Sequence, residues 1–384
     1  MTQFACTNCG RPYPEEGAPY KCPKCGGLFD VKGSLDFDPA QVDFSQPGIW
    51  RYRQSFGLPL SLPPVSLGEG STPFVWAEVF GRQVAFKAEY LNPTGSFKDR
   101  GTTVITTFLK SRGITIALED SSGNAGASFA AYAARAGLTA GIYAPAYASG
   151  PKLEQIKFYG AQLNLIPGTR ADVTRAVERD VISPAPVMRD GISHYISPAG
   201  RDNIPAYASH AYLPFNVPGY ATAAYEIYQQ LGTAPGAVVC PVGQGGLFLG
   251  VQRGFEALKR CGAVQSIPKM VGVQARACSP LWILSTAGIS ALGFITEGQT
   301  LAEGIKVKSP LRAGVMLKLV DARQAEFVVV DEPDILPGRD ELAKRGLYVE
   351  PTSAVVWSAL AQVLAKLPDP VVVMLTGSGY KYRP

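Results

Sequence analysis

The chain has 384 residues, with 36 Lys and Arg against 31 Asp and Glu, and therefore a formal net charge of +5. Hydrophobic residues make up 46% of the chain and charged residues only 17%. This composition is sufficient to form hydrophobic cores and excludes a wholly disordered protein. The positive charges are scattered, so we predict no contact with nucleic acid. Every long apolar stretch is interrupted, so we predict no contact with a membrane. We see no secretory signal and therefore predict a cytoplasmic protein.

The first predicted element is a metal-binding segment, residues 1–33. Its four cysteines form two Cys-x-x-Cys pairs, which can place four thiolates around one tetrahedral ion. About thirty residues cannot hold a fold by apolar burial alone, so a metal would supply the missing stability. We predict a structural Zn²⁺ in preference to disulfides or a redox pair, because cytosolic thiols stay reduced. The predicted ligands are Cys6, Cys9, Cys22 and Cys25.

Residues 34–66 follow as a segment rich in Pro, Asp and aromatic side chains. That composition predicts an irregular linker that wraps over the rest of the molecule. Four aromatic residues are expected to pin it in place: Phe44, Trp50, Tyr52 and Phe56.

Beyond Pro64, short apolar runs alternate with helix-forming runs. This alternation predicts an α/β fold with two doubly wound parallel-sheet domains, residues 67–205 and 206–384, separated by a cleft. The boundary is placed where the rhythm breaks, near residues 190–205. Strands are predicted in 84–91, 113–118, 138–144, 161–168, 236–243, 269–275, 326–332 and 370–377, and helices in 102–113, 127–137, 151–160, 169–181, 219–232, 247–262 and 355–367.

The loop of residues 92–101, NPTGSFKDRG, places Lys98 at or near the N-terminus of a helix. The helix dipole disfavours a cation there, so it favours the neutral amine that Schiff-base chemistry requires. The alternative is a surface lysine that pairs with Asp99.

Three further loops follow predicted strands, where ligands bind in such folds. Residues 121–128, SSGNAGAS, leave backbone N–H groups open to an anion such as a carboxylate. Residues 241–247, PVGQGGL, have the form of a phosphate cradle but match neither a Walker loop nor GxGxxG. Residues 375–379, LTGSG, offer hydroxyl groups. Each of these three patterns, taken alone, also fits an ordinary turn.

Together these segments resemble the fold type II pyridoxal-phosphate enzymes, whose fold is that of the tryptophan synthase β subunit, and within them the threonine synthases. The resemblance runs from about residue 66 to the C-terminus, and some threonine synthases also carry an N-terminal zinc ribbon. NPTGSFKDRG is the most specific of the matching segments. The matching segments, in order, are GEGSTPF (68–74), NPTGSFKDRG (92–101), SSGNAGAS (121–128), PVGQGG (241–246), EPTSA (350–354) and LTGSG (375–379).

The resemblance implies a role for each matching residue. Lys98 would bind pyridoxal phosphate as a Schiff base and then act as acid and base, and Asn124 would contact the cofactor's phenolic oxygen. Either Thr376 or Ser378 would face the pyridine nitrogen. The cofactor phosphate would be held by Gly243, Gln244, Gly245, Gly246 and Leu247, and the substrate carboxylate by Ser121, Ser122, Gly123 and Ala125.

The activity implied by the resemblance is conversion of O-phospho-L-homoserine and water to L-threonine and phosphate, by a homodimer. The segment of residues 209–222 departs from the family, because it lacks the arginine and glutamine with which many threonine synthases contact the substrate phosphate. His210 in this segment is equally a ligand contact or a packed loop residue. Four cations are candidates for that phosphate: Lys152, Lys157, Arg201 and Lys306.

Several alternatives stay open from the sequence. The segment TLAEGIKVKSP (300–310) resembles serine and threonine dehydratases, so a dehydratase is one of them. A β-replacement enzyme, such as a cysteate or cysteine synthase, is another. A catalytically silent regulator and a zinc-ribbon nucleic-acid binder are disfavoured by the intact Lys98 and by the scattered charge, respectively.

Overall fold

The protein is described here by a computed structural model, which covers residues 2–182, 188–189, 192–193 and 205–383. Its strands are β1 (Gln3–Cys6), β2 (Phe29–Lys32), β3 (Phe74–Val79), β4 (Arg82–Lys87), β5 (Ile116–Glu119), β6 (Thr139–Pro145), β7 (Gln162–Ile166), β8 (Met188–Arg189), β9 (Ile192–Ser193), β10 (Ala206–Tyr207), β11 (Ala237–Pro241), β12 (Lys269–Ala275), β13 (Ala325–Val330) and β14 (Val371–Met374). Its α-helices are α1 (Lys98–Ser111), α2 (Asn124–Ala136), α3 (Pro151–Phe158), α4 (Arg170–Ile182), α5 (Asn216–Leu231), α6 (Gly246–Arg260), α7 (Pro280–Ala287), α8 (Ala313–Asp321), α9 (Glu332–Ala343) and α10 (Pro351–Val363).

The larger sheet has six strands in the order β13-β12-β11-β14-β4-β3, all parallel except β3 at one edge. Alternate residues of β11 enter two different cores, because successive side chains of a strand point to opposite faces. Val238 packs with α5 and α6, whereas Val239 packs with α10 on the other face. Helices therefore cover both faces, as the predicted doubly wound fold requires.

The smaller sheet has four parallel strands in the order β10-β5-β6-β7. Ala117 of β5 packs with α1 and α2, and the next residue, Leu118, packs with α4 on the opposite face. The α/β fold with parallel sheets is confirmed. Both sheets take strands from either side of residue 205, and the predicted division into residues 67–205 and 206–384 stays a prediction.

The segment 34–66 wraps over the molecule largely as expected. Trp50, Tyr52 and Phe56 are buried, and the indole N–H of Trp50 donates to Glu69 at 3.0 Å. Phe44 is a correction, because 69% of it is exposed, with the guanidinium of Arg51 at 5.9 Å from its ring centre.

A buried ionic cluster fastens the start of α1 to α5 and β4. The guanidinium of Arg100 donates to Glu89 at 2.6 and 2.7 Å and to Glu226 at 2.9 and 2.7 Å. Glu226 also pairs with the amine of Lys87 at 2.9 Å, and these side chains are at most 4% exposed. Because Arg100 lies two residues after Lys98, the cluster fixes the helix start on which Lys98 lies.

Replacing Glu226 with Gln is expected to lower the free energy of unfolding by about 3–5 kcal/mol, since it leaves buried cations without their partner. Burial alone would raise the pKa of Glu226, but Arg100 and Lys87 hold it well below its ordinary value of 4.5. The carboxylate thus stabilises the fold above that ordinary value, and this contribution is lost as the pH falls below it. Urea unfolding between about pH 7 and pH 3 checks both statements, because the variant should lose less stability on acidification than the wild type. The matched control, Glu341→Gln in a surface pair with Lys344, should change little.

Among the described residues, no helix is both long and apolar enough to span a membrane.

Candidate active site

The loops that follow the parallel strands come together at one place. β5 leads into α2, β11 leads into α6, and β14 leads into residues 375–378. The Lys98 loop joins them because the N–H of Phe97 donates to the carbonyl oxygen of Thr376 at 3.0 Å. The loop after β14 also approaches the start of α2, which follows β5 of the smaller sheet. Gly377 is so close to Asn124 that a Cβ added to this glycine would lie 3.0 Å from the Asn124 amide nitrogen. The fourth loop, residues 241–247, leaves the same edge of the large sheet because β11 and β14 are parallel neighbours, and Tyr220 packs against both Gly101 and Gly246. The four predicted loops therefore lie together, and we call the space between them the cleft.

Lys98 is the first residue of α1 and lies partly buried in this cleft, with its amine 4.8 Å from the centre of the Phe97 ring. Burial, opposed by the carboxylate of Glu119, lowers the pKa of Lys98 to about 8. Asp99 is not its partner, because that carboxylate accepts hydrogen bonds from Thr94 at 2.7 and 2.6 Å and from Ser128 at 2.6 Å. The amine therefore loses its proton more readily than a solvated lysine does.

Asn124 begins α2 and reaches across the cleft. Its amide nitrogen donates to Glu350 at 2.7 Å, and its amide oxygen is buried with no hydrogen-bond partner in the described part of the chain. The second oxygen of Glu350 lies 2.8 Å from the amine of Lys152. A Cβ on Gly377 would lie 2.2 Å from Glu350, so the loop must have glycine there. Glu350 was not among the predicted site residues, although it opens the EPTSA segment.

Residues 121–125, which we call the carboxylate loop, fold tightly around Ser121. The hydroxyl of Ser121 accepts a hydrogen bond from the N–H of Gly123 at 3.2 Å. A Cβ on Gly126 would lie 1.9 Å from the carbonyl oxygen of Ser121, so the loop and the first turn of α2 are in direct contact. Ser122 is partly exposed, and Ala125 is buried in that first turn. Gly123 caps the helix without a side chain, which leaves N–H groups of the helix start open to an anion.

Residues 243–247 form the turn into α6. Gly245 has φ +83°, a left-handed conformation that favours glycine, and it caps the helix without a side chain. The side chain of Gln244 accepts from the N–H of Leu311 at 3.1 Å. Tyr220 packs against the first residue of α6, and its buried hydroxyl has no hydrogen-bond partner among the described residues. The turn therefore presents backbone N–H groups beside an unused hydroxyl, as an anion cradle requires.

The two hydroxyl groups predicted to compete for a ring nitrogen differ in their contacts. Thr376 lies 2.8 Å from the hydroxyl of Ser353, which in turn accepts from the N–H of Gly377 at 2.8 Å. Ser378 instead accepts from the N–H of Tyr380 at 3.3 Å and caps the turn that follows. Ser353 was not predicted, although it too lies in EPTSA.

His210 lies beside this cleft, paired with Glu119. Its Nδ1 is 2.8 Å from Glu119 Oε1, and its backbone N–H donates to Oε2 at 3.3 Å. Asn216 holds the loop by donating to the carbonyl oxygen of His210, and the amide oxygen of Asn216 is buried without a hydrogen bond in the described residues. Glu119 was not predicted as a site residue, since it ends a short apolar strand.

The candidates for a second phosphate site have different surroundings. Lys152 is engaged by Glu350, Lys157 is exposed on α3, and Lys306 is partly exposed after a short helical turn. Arg201 lies outside the described residues.

The four N-terminal cysteines come together as predicted. Their sulfur atoms all lie within 4.8 Å of one another, with Cys6 and Cys25 at 3.5 Å and Cys9 and Cys22 at 3.8 Å. Antiparallel pairing of β1 with β2 supports the cluster. Four thiols at this spacing fit one tetrahedral metal ion with no open position.

Comparison with known proteins places these features in context. Residues 65–377 match the family described as pyridoxal-phosphate dependent enzyme. The threonine synthase of Methanosarcina acetivorans is 30% identical, over 95% of this chain and 87% of that protein. The threonine synthase of Mycobacterium bovis is 32% identical, over 87% of this chain and 89% of that protein. The crystal structure of a threonine deaminase from T.th. superimposes with a TM-score of 0.62 at 25% identity, over 82% of this chain and 94% of that one.

Proposed function

The chain belongs to the family of pyridoxal-phosphate-dependent enzymes, and on that premise we propose that it is a threonine synthase, converting O-phospho-L-homoserine and water to L-threonine and phosphate. Its coarser class is a pyridoxal-phosphate-dependent lyase with a small amino-acid substrate. The observation that carries the finer proposal is the extent of the match, since relatives named threonine synthase share 30% and 32% identity over 95% and 87% of the chain.

The residues of the cleft fit pyridoxal phosphate. Lys98 would bind it covalently, and Asn124, with its unused buried oxygen, would contact the phenolic oxygen. The open N–H groups of residues 243–247 would hold the phosphate, and Thr376 or Ser378 would offer a hydroxyl to the ring nitrogen. Bound in this way, the cofactor withdraws electrons from the substrate Cα and acidifies its proton.

The chain's own residues would orient the substrate and move its protons. The open amides of Gly123 and Ala125, with the hydroxyls of Ser121 and Ser122, would hold the substrate carboxylate. The amine of Lys98 would move protons one at a time, away from Cα and from Cβ while phosphate leaves Cγ, and then to Cγ and, after water adds its hydroxyl at Cβ, back to Cα. Two protons leave carbon and two return, and the remaining proton of the water balances the one that the released phosphate takes up. A single fixed amine can serve these steps in turn because the buried cluster around Arg100 immobilises the helix start.

A dehydratase is the second candidate function, and a β-replacement enzyme of the cysteine or cysteate synthase type is related to it. Asn216 and Tyr220 occupy the segment where many threonine synthases carry arginine and glutamine, which favours a substrate without a second phosphate. The superposition on threonine deaminase supports the same alternative.

Incubation with O-phospho-L-homoserine, L-threonine and O-phospho-L-serine in parallel separates these functions. A threonine synthase releases threonine and phosphate in equal amounts from the first substrate, measured by amino-acid chromatography and a phosphate assay. A dehydratase forms a keto acid and ammonia from threonine, and a β-replacement enzyme consumes O-phospho-L-serine only with an added nucleophile. Release of phosphate from O-phospho-L-homoserine without formation of threonine would contradict the threonine synthase proposal.

We also propose that the cluster of Cys6, Cys9, Cys22 and Cys25 binds a structural Zn²⁺, which is supported by four thiols within reach of one ion. A cytoplasmic homodimer is proposed from the family resemblance alone. Metal analysis and sedimentation of the purified protein test the zinc and the dimer, respectively.

A further inference from the structure

Glu119 and His210 lie side by side in the cleft, next to the carboxylate loop. β10 and β5 are neighbouring parallel strands, with Tyr207 opposite Leu118, so the residues that follow them leave the sheet at the same edge. Glu119 ends β5 and directly precedes the carboxylate loop of residues 121–125. The pair therefore lies beside the loop that would hold the substrate carboxylate.

Both oxygens of Glu119 are occupied by His210, through Nδ1 at 2.8 Å and the backbone N–H at 3.3 Å. The side chain of Glu119 is 1% exposed and that of His210 is 13% exposed. Nδ1 is engaged by Glu119, so Nε2 is the ring nitrogen that remains available for a ligand. In the described part of the chain, Nε2 forms no hydrogen bond.

Burial favours the uncharged forms of both groups. Burial raises the pKa of Glu119 to about 8, and burial together with the Lys98 charge lowers the pKa of His210 well below its usual range. One proton is therefore shared between Oε1 and Nδ1, and a second is on Nε2. Within the described ranges, the charged or titratable groups that face the pair are Lys98 on α1, Arg170 on α4, Asp120 after β5, Tyr207 on β10 and Tyr220 on α5.

We propose that His210 is a catalytic acid that protonates the leaving group of the substrate, and that Glu119 is the positioning residue that holds its proton supply. The proposal rests on the lyase chemistry of the proposed function. As the carbon–oxygen bond breaks, its electron pair goes to the leaving oxygen, which takes the proton from Nε2. As Nε2 gives up its proton, the proton between Glu119 and Nδ1 moves onto Nδ1, so the negative charge ends on the Glu119 carboxylate, and the pair regains a proton from water afterwards.

Protonation by His210 would avoid the release of a strongly basic leaving group. A phosphate monoester that leaves without a proton departs as the strongly basic trianion, and a hydroxyl departs as hydroxide. A neutral acid is also the form of Glu119 that does not repel a phosphate group. Lys98 is thereby free to handle the protons on carbon.

The test compares leaving groups that need a proton with chloride, which needs none. O-phospho-L-homoserine and its γ-chloro analogue form one pair, and L-serine and β-chloro-L-alanine form a second. His210→Asn is expected to lower kcat about 10²–10⁴-fold for the oxygen leaving groups and to leave the chloro substrates within about threefold of wild type. Glu119→Gln should give a smaller loss with the same selectivity.

The pH profile gives a second readout. Wild-type kcat with the oxygen leaving group should fall as the pH rises through about 8, because the pair loses its transferable proton. Glu119→Gln should show no fall in kcat over this pH range. Wild type with the chloro substrate should show no fall either, and this control distinguishes titration of the pair from titration of Lys98, which acts on both substrates. Unchanged cofactor absorbance and circular dichroism in both variants show that the fold and the cofactor site are intact.

The outcomes are distinguishable. An equal loss on both members of a pair, or no loss on either, would overturn the proposal for His210. Turnover of the serine pair alone would remove the threonine synthase function while still testing His210. A wild type inactive on all four compounds would overturn both.

Discussion

Replacing Lys98 with alanine is expected to abolish the absorbance band of the bound cofactor at about 410–430 nm and to lower turnover by about 10²–10⁴-fold or more. The variant loses the amine that binds the cofactor and the base that moves the substrate's protons. Among the protein's predicted variants this one should have the largest effect on activity, because both functions depend on one atom.

Absorbance spectra of both proteins after reconstitution with pyridoxal phosphate and dialysis check this expectation. Lys110→Ala, at the exposed far end of the same helix, is the matched control and should keep the band and the activity. Borohydride reduction of wild type should add the cofactor's mass to the peptide that contains Lys98. A band that survives in Lys98→Ala, or a label on another lysine, would show that the attachment site has been assigned wrongly.

The position of Lys98 at a helix start could be predicted because its signals are local. A strand-like run precedes it, a helical run follows it, and α1 indeed begins at this residue. The same holds for the turn at Gly245, where a glycine-rich sequence between an apolar strand and an amphipathic helix has few other conformations.

The partners of these residues could not be predicted in the same way. Asn124 and Glu350 are separated by 226 residues, and Arg100 and Glu226 by 126 residues. No local pattern distinguishes a carboxylate that will be buried against such a partner from one that will be solvated. Asp99 illustrates this, since its neighbour in the sequence is Lys98 but its hydrogen bonds go to Thr94 and Ser128.

β3 was missed for a different reason. It is the antiparallel edge strand of the larger sheet, and every residue of it except Val79 is partly or fully exposed. An edge strand needs no continuous apolar run, and an antiparallel hairpin lies outside the strand–helix alternation from which the other strands were predicted. The strands with the strongest signals are instead those buried on both faces, such as β11 and β14.

Removing the metal from the four-cysteine cluster is expected to unfold residues 2–33 and to loosen the segment 207–216. Metal binding contributes about 10–16 kcal/mol to the folding of small zinc domains. The apolar cluster inside this segment is small, with Phe29 and Tyr13 packed against Cys6 and Cys22. The unfolding would spread because Phe4 and Tyr13 pack against Phe215 at 4.6 and 5.0 Å between ring centres. Tyr20 likewise packs against Tyr212 at 5.4 Å.

The variant Cys9→Ser with Cys25→Ser and treatment of wild type with a chelator are two routes to the metal-free protein. Hydrogen exchange of peptides from residues 205–216, together with the Tm, measures the effect, and Cys261→Ser, which changes an exposed cysteine outside the cluster, is the control. Because this segment carries His210 and Asn216, faster exchange there should accompany a weaker substrate interaction. Metal loss that leaves exchange in 205–216 unchanged would contradict the coupling, since the aromatic contacts would then hold the segment without the folded cluster behind them.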